Sequence, residues 1–227
     1  MSGAAARAFI QLALRHQALG FGSFTLKSGR RSPYFFNVGL LNAGATLAEL
    51  GRLYAGRLAA YLEESGQLAA PEGFMLLGLP YKGIPLAALA CAAAAADERL
   101  RGADISYAYL RKEAKEHGEG GLLVGGEPGG RRIIVIDDVL TTGKALQITL
   151  KHLRDVWRIK PLALLAAFDR LERTAPEDED CASRLLARRE EMDVISIATV
   201  RDLLPELEER QREEIERHLA EHGPAAV

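Results

Sequence analysis

One stretch restricts the possible folds more than any other, the run Arg132-Ile133-Ile134-Val135-Ile136-Asp137-Asp138-Val139-Leu140-Thr141-Thr142-Gly143-Lys144-Ala145. Its unbroken apolar part is suited to a strand covered on both faces, as in a parallel sheet packed between helices. The strand ends on two adjacent acids, and a loop of hydroxyl residues and glycine then opens a helix over 144–157. In open α/β sheets, ligands gather beyond the carboxyl ends of the strands. The N–H groups of a helix start, backed by the helix dipole, favour a phosphate there. Thr141 and Thr142 add hydroxyl donors, and Gly143 lets the backbone come close. Asp137 and Asp138 would repel a phosphate, so they suit what accompanies it. Ribose hydroxyls donate to carboxylates, and hydrated Mg2+ is held by one or two carboxylates together with phosphate oxygens. The segment therefore fits a ribose 5-phosphate. A capping residue after a strand would account for one acid, but not for the pair and the loop.

The rest of the chain alternates helix and strand signals, which supports a parallel sheet flanked by helices. An amphipathic helix carries Phe9, Leu12, Leu14 and Leu19 and is expected to end at Gly20-Phe21-Gly22. Two short strands are expected over 23–38, around the turn Lys27-Ser28-Gly29-Arg30. A long helix follows, with Thr46 as its N-cap, running to Ser65. Strands are expected at 74–77, 105–110, 122–125, 132–137, 162–168 and 194–197, and an Ala-rich helix over 84–99. The segment 176–180 is acidic and reads as a loop or a helix start. A charged helix with a sparse stripe of Leu207, Ile215 and Leu219 closes the chain over 202–222.

Several function classes are disfavoured. The GxxxxGKS/T loop of nucleoside triphosphate sites and the GxGxxG of dinucleotide sites are both missing. Cys91 and Cys181 lack metal-ligand spacing and make no disulfide framework. With 29 Lys and Arg against 31 Asp and Glu, global charge does not call for a nucleic acid partner. Arg7 and Arg15 interrupt the N-terminal apolar stripe, so no signal peptide is read there, and no stretch is apolar enough to span a membrane. A single domain over 1–227 in the cytoplasm is the expectation.

The 133–145 stretch resembles the 5-phosphoribosyl 1-diphosphate (PRPP) motif of type I phosphoribosyltransferases. Four further segments resemble orotate phosphoribosyltransferases within that superfamily. They are FTLKSGRRSPYFFN (24–37), Gly78-Leu79-Pro80-Tyr81-Lys82-Gly83-Ile84-Pro85, the stretch RKEAKEHGEGG (111–121), and Phe168-Asp169-Arg170-Leu171-Glu172-Arg173. With six charged residues and three glycines, 111–121 is poor core material and a good mobile lid. The resemblance implies a type I phosphoribosyltransferase fold, with a mostly parallel central sheet, a catalytic loop, and a small hood built from 1–40 and the C-terminal part. It implies that Tyr81, Lys82, Arg111, Lys112, Lys115 and His117 meet the diphosphate. Asp137 to Ala145, including Val139, Leu140 and Lys144, would hold the ribose phosphate. Lys27, Phe35, Phe36, Thr141 and Arg170 would hold orotate. Lys115, Lys82, Arg111, His117 and Asp137 would carry the chemistry, with Mg2+ held mainly by PRPP. A homodimer sharing lid residues is implied, as is a non-trans peptide somewhere in 79–82. Thr142 and Lys144 depart from the family's usual loop, and Arg173 reads as a surface or ion-pair residue. The competing readings are a purine or uracil phosphoribosyltransferase and a PRPP-sensing regulator of transcription.

Overall fold

The computed structural model describes residues 2–26, 29–115, 121–140 and 144–224, without the side chains of 2, 112–115, 121, 144 and 145. The helix α1 (Ser2–Arg15) leads into a hairpin of β1 (Leu19–Thr25) and β2 (Arg31–Phe36), and α2 (Gly44–Glu64) follows. Then come β3 (Phe74–Gly78), α3 (Gly83–Ala94), β4 (Ile105–Lys115), β5 (Gly121–Gly125) and β6 (Arg132–Val139). The chain continues through α4 (Lys144–His152), β7 (Ala163–Asp169), α5 (Ala182–Glu190), β8 (Asp193–Thr199), α6 (Val200–Leu203) and α7 (Glu209–His222). Among the described residues the central sheet has the order β5-β4-β3-β6-β7-β8, parallel except for β5.

The strands are buried on both faces because their side chains alternate between two apolar clusters. Leu76, Ile134, Ile136 and Leu165 join α1, α2, α3 and the β1–β2 hairpin. Met75, Leu77, Ile133, Val135 and Leu164 join α4, α5 and Met192 on the other side. Strand order reverses at β3: the chain leaves β3 through α3 to β4 on one flank, and β6 lies on the other. The loops leaving the adjacent strands β3 and β6 therefore part toward opposite faces and open a crevice between them, the usual ligand position in such sheets.

Several sequence expectations need correction. The first helix stops at Arg15, and Gly20-Phe21-Gly22 lies within β1. The stop is Gln17 at φ 54°, with the Ala18 N–H returning to the Ala13 carbonyl at 2.8 Å, so a left-handed residue other than glycine ends the helix. Ala43, not Thr46, caps α2; Thr46 is buried, with its hydroxyl 3.3 Å from His16 Nε2. The Ala-rich helix stops at Ala94. The closing helix is broken, since Pro205 has no N–H to donate and Leu207 is extended, so α6 passes through a 3-10 turn before α7 begins. The 111–121 segment is not loop throughout, because β4 runs on to Lys115, which pairs with Gly121 across an antiparallel ladder. The stretch 176–180, read as a loop or a helix start, leads into α5, whose extent was not foreseen.

The crevice floor depends on two glycines. A Cβ on Gly83 would lie 2.2 Å from the Ile136 carbonyl oxygen, and one on Gly78 would lie 2.5 Å from the Gly83 carbonyl oxygen. Both obstacles are backbone, so neither can rotate away. Gly83→Ala is expected to destabilise the chain by about 2 to 3 kcal/mol through overpacking. Gly44→Ala, at a helical position with open space around it, is expected to be neutral or slightly stabilising. Denaturant midpoints for the two variants check this, and equal stabilities would refute the close-approach argument.

Candidate active site

The site begins where β6 ends. Asp137 Oδ1 accepts the Asp138 N–H at 2.9 Å, and the Asp137 carbonyl accepts the hydroxyl of the fully buried Tyr54 at 2.7 Å. Asp138 is buried and pairs with Lys82 Nζ at 2.8 Å, which ties the exit of β3 to the end of β6 across the crevice. Burial, and next the charge of Asp138, push the Asp137 carboxyl up to about 7, against the opposing pull of the Asp138 N–H and Lys82. Tyr54 is raised well above its usual value, first by burial and then by the two acids. Tyr81 is 72% exposed and follows a cis Pro80–Tyr81 peptide, which locates the non-trans bond in 79–82. Val139 lies opposite Phe168, and the Leu140 N–H is used by the Phe168 carbonyl at 3.2 Å. That N–H therefore serves the sheet rather than a phosphate.

On the hairpin side the two phenylalanines divide. Phe36 is buried against Phe9 and Phe168, with ring centroids at 5.7 and 5.6 Å, whereas Phe35 is 41% exposed with Phe24 beside it at 5.7 Å. Strand alternation forces this division, leaving Phe35 as the available ring face. Arg170, one residue past β7, is buried and stacks over the Tyr34 ring at 4.2 Å. Its Nε and Nη2 donate to Glu172 Oε1 at 3.0 and 2.7 Å, and Nη2 also donates to Ser32 Oγ at 2.8 Å. The fork foreseen for a substrate carboxylate is thus engaged by Glu172, as a buried guanidinium must be paired. Glu172 Oε2 takes Arg30 Nη1 at 3.1 Å, and Oε1 lies 3.0 Å from His218 Nε2. Burial alone would raise Glu172, but the His218 hydrogen bond and Arg170 outweigh it and lower its pKa to about 2.

Arg111 lies on β4, and so do Lys112 and Lys115, whose side chains are outside the described residues. His117, Lys27, Thr141, Thr142 and Gly143 also lie outside them. Lys144 and Ala145 begin α4, again with undescribed side chains. The structure brings together Lys82, Asp137 and Asp138 at one place, and Arg170 with the β1–β2 hairpin at another. Sequence reasoning missed Tyr54, Ser32, Tyr34, Glu172 and His218. Only Glu172 left a signal, as an acid two residues from Arg170. Arg173, read as a surface or ion-pair residue, is half-buried and bonds to backbone: its N–H donates to the His222 carbonyl and its Nη2 to the Glu221 carbonyl, at 2.7 and 2.6 Å, closing the end of α7. Among the described residues no group of three or more His, Cys, Asp or Glu is arranged for a metal, and no helix is long and apolar enough to cross a membrane.

Comparison with known proteins accounts for this arrangement. The family model described as a phosphoribosyl transferase domain matches residues 43–200. An orotate phosphoribosyltransferase of Xanthomonas campestris pv. campestris is 44% identical over 197 residues, covering 86% of this chain and 84% of that protein. One of Stenotrophomonas maltophilia is 39% identical, with 96% of each chain covered. The crystal structure of an orotate phosphoribosyltransferase from Francisella tularensis superposes with a TM-score of 0.76 at 32% identity, over 95% of this chain and 98% of that one. A crevice with paired acids at the strand reversal, a matching family model and this likeness over nearly the whole length agree, and the chain belongs to the orotate phosphoribosyltransferase family of phosphoribosyl transferases.

Proposed function

We propose that this chain transfers the 5-phosphoribosyl group from PRPP to orotate, giving orotidine 5'-phosphate and pyrophosphate in pyrimidine (UMP) biosynthesis. The observation that carries the reading is the pair Asp137 and Asp138 at the end of a buried strand, bridged by Lys82 to the neighbouring loop. Ribose hydroxyls donate to these carboxylates, and the 5-phosphate sits on 141–145 at the start of α4. Two acids, one of them already paired with Lys82, do not make a protein cage for a metal. They fit Mg2+ held mainly by substrate oxygens with one or two carboxylates in support. Bound this way, Mg2+ supplies positive charge to the diphosphate. The chain itself works as one domain over 1–227, with hood elements from 1–40 and the C-terminal part.

Orotate lies against Phe35, with Lys27, Thr141 and Arg170 holding its polar edge. The bond from ribose C1 to the diphosphate oxygen breaks with its electron pair leaving on pyrophosphate, and the orotate ring nitrogen forms the new bond to C1. Lys82, Arg111, Lys112, Lys115 and His117 stabilise the charge that grows on the leaving group. Tyr81 contributes backbone to the same subsite. The 111–121 segment shields the reaction from water, and in a cytoplasmic homodimer the partner subunit supplies part of it.

Orotate absorbance is expected to fall in the presence of PRPP and Mg2+, and Lys115→Ala is expected to slow this by roughly 10²-fold. Consumption of a purine or uracil in place of orotate would overturn the base assignment, and PRPP binding without turnover would favour the regulatory reading. Mixing Lys115→Ala with Asp137→Asn subunits should restore up to about a quarter of the activity if sites are shared across a twofold interface. Neither parent alone should show it. Asp137 also gives a pH prediction. A carboxyl raised from 3.8 to about 7 on folding costs nothing below its unfolded pKa, and its penalty grows as pH rises through that window. Asp137→Asn keeps the acceptor for the Asp138 N–H. It is expected to stabilise the unliganded chain by about 4 kcal/mol above pH 7 and by less than about 1 kcal/mol near pH 4. Denaturation at the two pH values checks the sign.

A further inference from the structure

Helix α7 is the element that the reaction does not use, yet it reaches the base side of the site. His218 is buried in it, and its Nε2 lies 3.0 Å from Glu172 Oε1, the same oxygen that receives Nε and Nη2 of Arg170. Tyr34 lies between them, with Arg170 over its face at 4.2 Å and the His218 ring edge-on at 6.2 Å. Arg173 fixes the far end of α7 through the Glu221 and His222 carbonyls. The segment 170–173 and α7 are therefore locked together at two points, and the position of Glu172 is set from the helix.

This arrangement decides which edge of Arg170 is spent. Glu172 Oε1 takes the Nε–Nη2 edge, and Ser32 takes a second bond from Nη2. Nη1 makes no hydrogen bond among the described residues. Without His218, Glu172 would be held by the guanidinium groups of Arg30 and Arg170 and a long 3.4 Å bond from the Tyr34 hydroxyl, and would still be able to swing between the two cations. The His218 hydrogen bond removes that freedom, and preorganising a cation in this way reduces the ordering left for substrate binding. We propose that His218, through Glu172, is a positioning residue for orotate: it holds the Arg170 guanidinium so that its Nη1 edge meets the substrate carboxylate. The proposal rests on the reading of Arg170 as the base-side cation.

The test is a steady-state comparison of His218→Phe, His218→Gln, Arg170→Ala and the double variant Arg170→Ala/His218→Phe, each first checked for folding by circular dichroism. His218→Phe keeps a ring in the packing and removes the N–H, whereas His218→Gln keeps a donor. His218→Phe is expected to raise the KM for orotate roughly tenfold, as befits a lost hydrogen bond to a charged group, and to change the KM for PRPP by less than about twofold. His218→Gln should recover most of the orotate KM. The double variant should be no worse than Arg170→Ala alone, because the two residues act in series. Equal shifts in both KM values, or multiplying effects in the double variant, would overturn the proposal. If Arg170→Ala raises the orotate KM and His218→Phe does not, the positioning role alone fails. If Arg170→Ala leaves the orotate KM unmoved, the reading of Arg170 fails and the proposal falls with it.

Discussion

The Ile136 carbonyl receives the Leu79 N–H at 3.0 Å, and the same oxygen lies where a side chain on Gly83 would have to stand. The exit of β3 is thereby pressed onto β6 at the point where the two chains must part for opposite faces of the sheet. A bulkier residue at Gly78 or Gly83 would widen this gap, and Lys82 would then lose its reach to Asp138. The 2.8 Å ion pair between them depends on backbone contact deeper in the sheet. The geometry of the crevice is thus inherited from strand packing, consistent with the precision of sites built on strand ends rather than on long loops.

Around that contact the charges are divided in space. At the end of β6 two carboxylates face one lysine, and burial, with the neighbouring acid second, raises Asp137. At the end of β7 the balance is reversed, since one carboxylate, Glu172, serves both Arg30 and Arg170. Asp169 stands nearby, but burial raises its pKa and its carboxylate accepts the Leu171 N–H at 2.8 Å. A substrate pair with hydroxyls at one end and a ring carboxylate at the other matches these two ends. The acid pair costs folding free energy at neutral pH, which stands against any purely structural reason for the two adjacent acids.

Much of this was legible in the sequence. The apolar run 133–136 and the acids behind it announced both the sheet and the crevice, because a doubly covered strand leaves few other readings. What misled was one helix ending, since Gln17 closes α1 in the left-handed region without glycine; the helix expected over 144–157 does end there, before Arg158, also left-handed. Helix α5 has only Leu186 and Ser183 buried and no side-chain cap, so its apolar signal is faint; Asp180 pairs with Arg184 and Arg188 at its start. The division of Phe35 from Phe36 followed from alternation, but which of them faced outward needed the hairpin's register, with its irregularity between Phe21 and Phe24.

The C-terminal helix was least legible for a physical reason. Its sequence is mostly charge, and its apolar stripe is down to Ile215 and Leu219, which reads as a solvated surface helix. Its attachment instead uses polar groups that periodicity does not detect: His218 on Glu172, Arg173 on the terminal carbonyls, and Arg212 on the carbonyls of Leu204 and Leu207. The buried one, His218 on Glu172, is specific in direction and costly when a partner is lost, whereas the Arg173 and Arg212 contacts are exposed or half-buried. They add little net stability where apolar burial would have been enough. A helix docked this way is better suited to fixing the orientation of Glu172 and Arg170 than to strengthening the fold. The weakness of its hydrophobic signal and its reach into the base side of the site therefore have one origin.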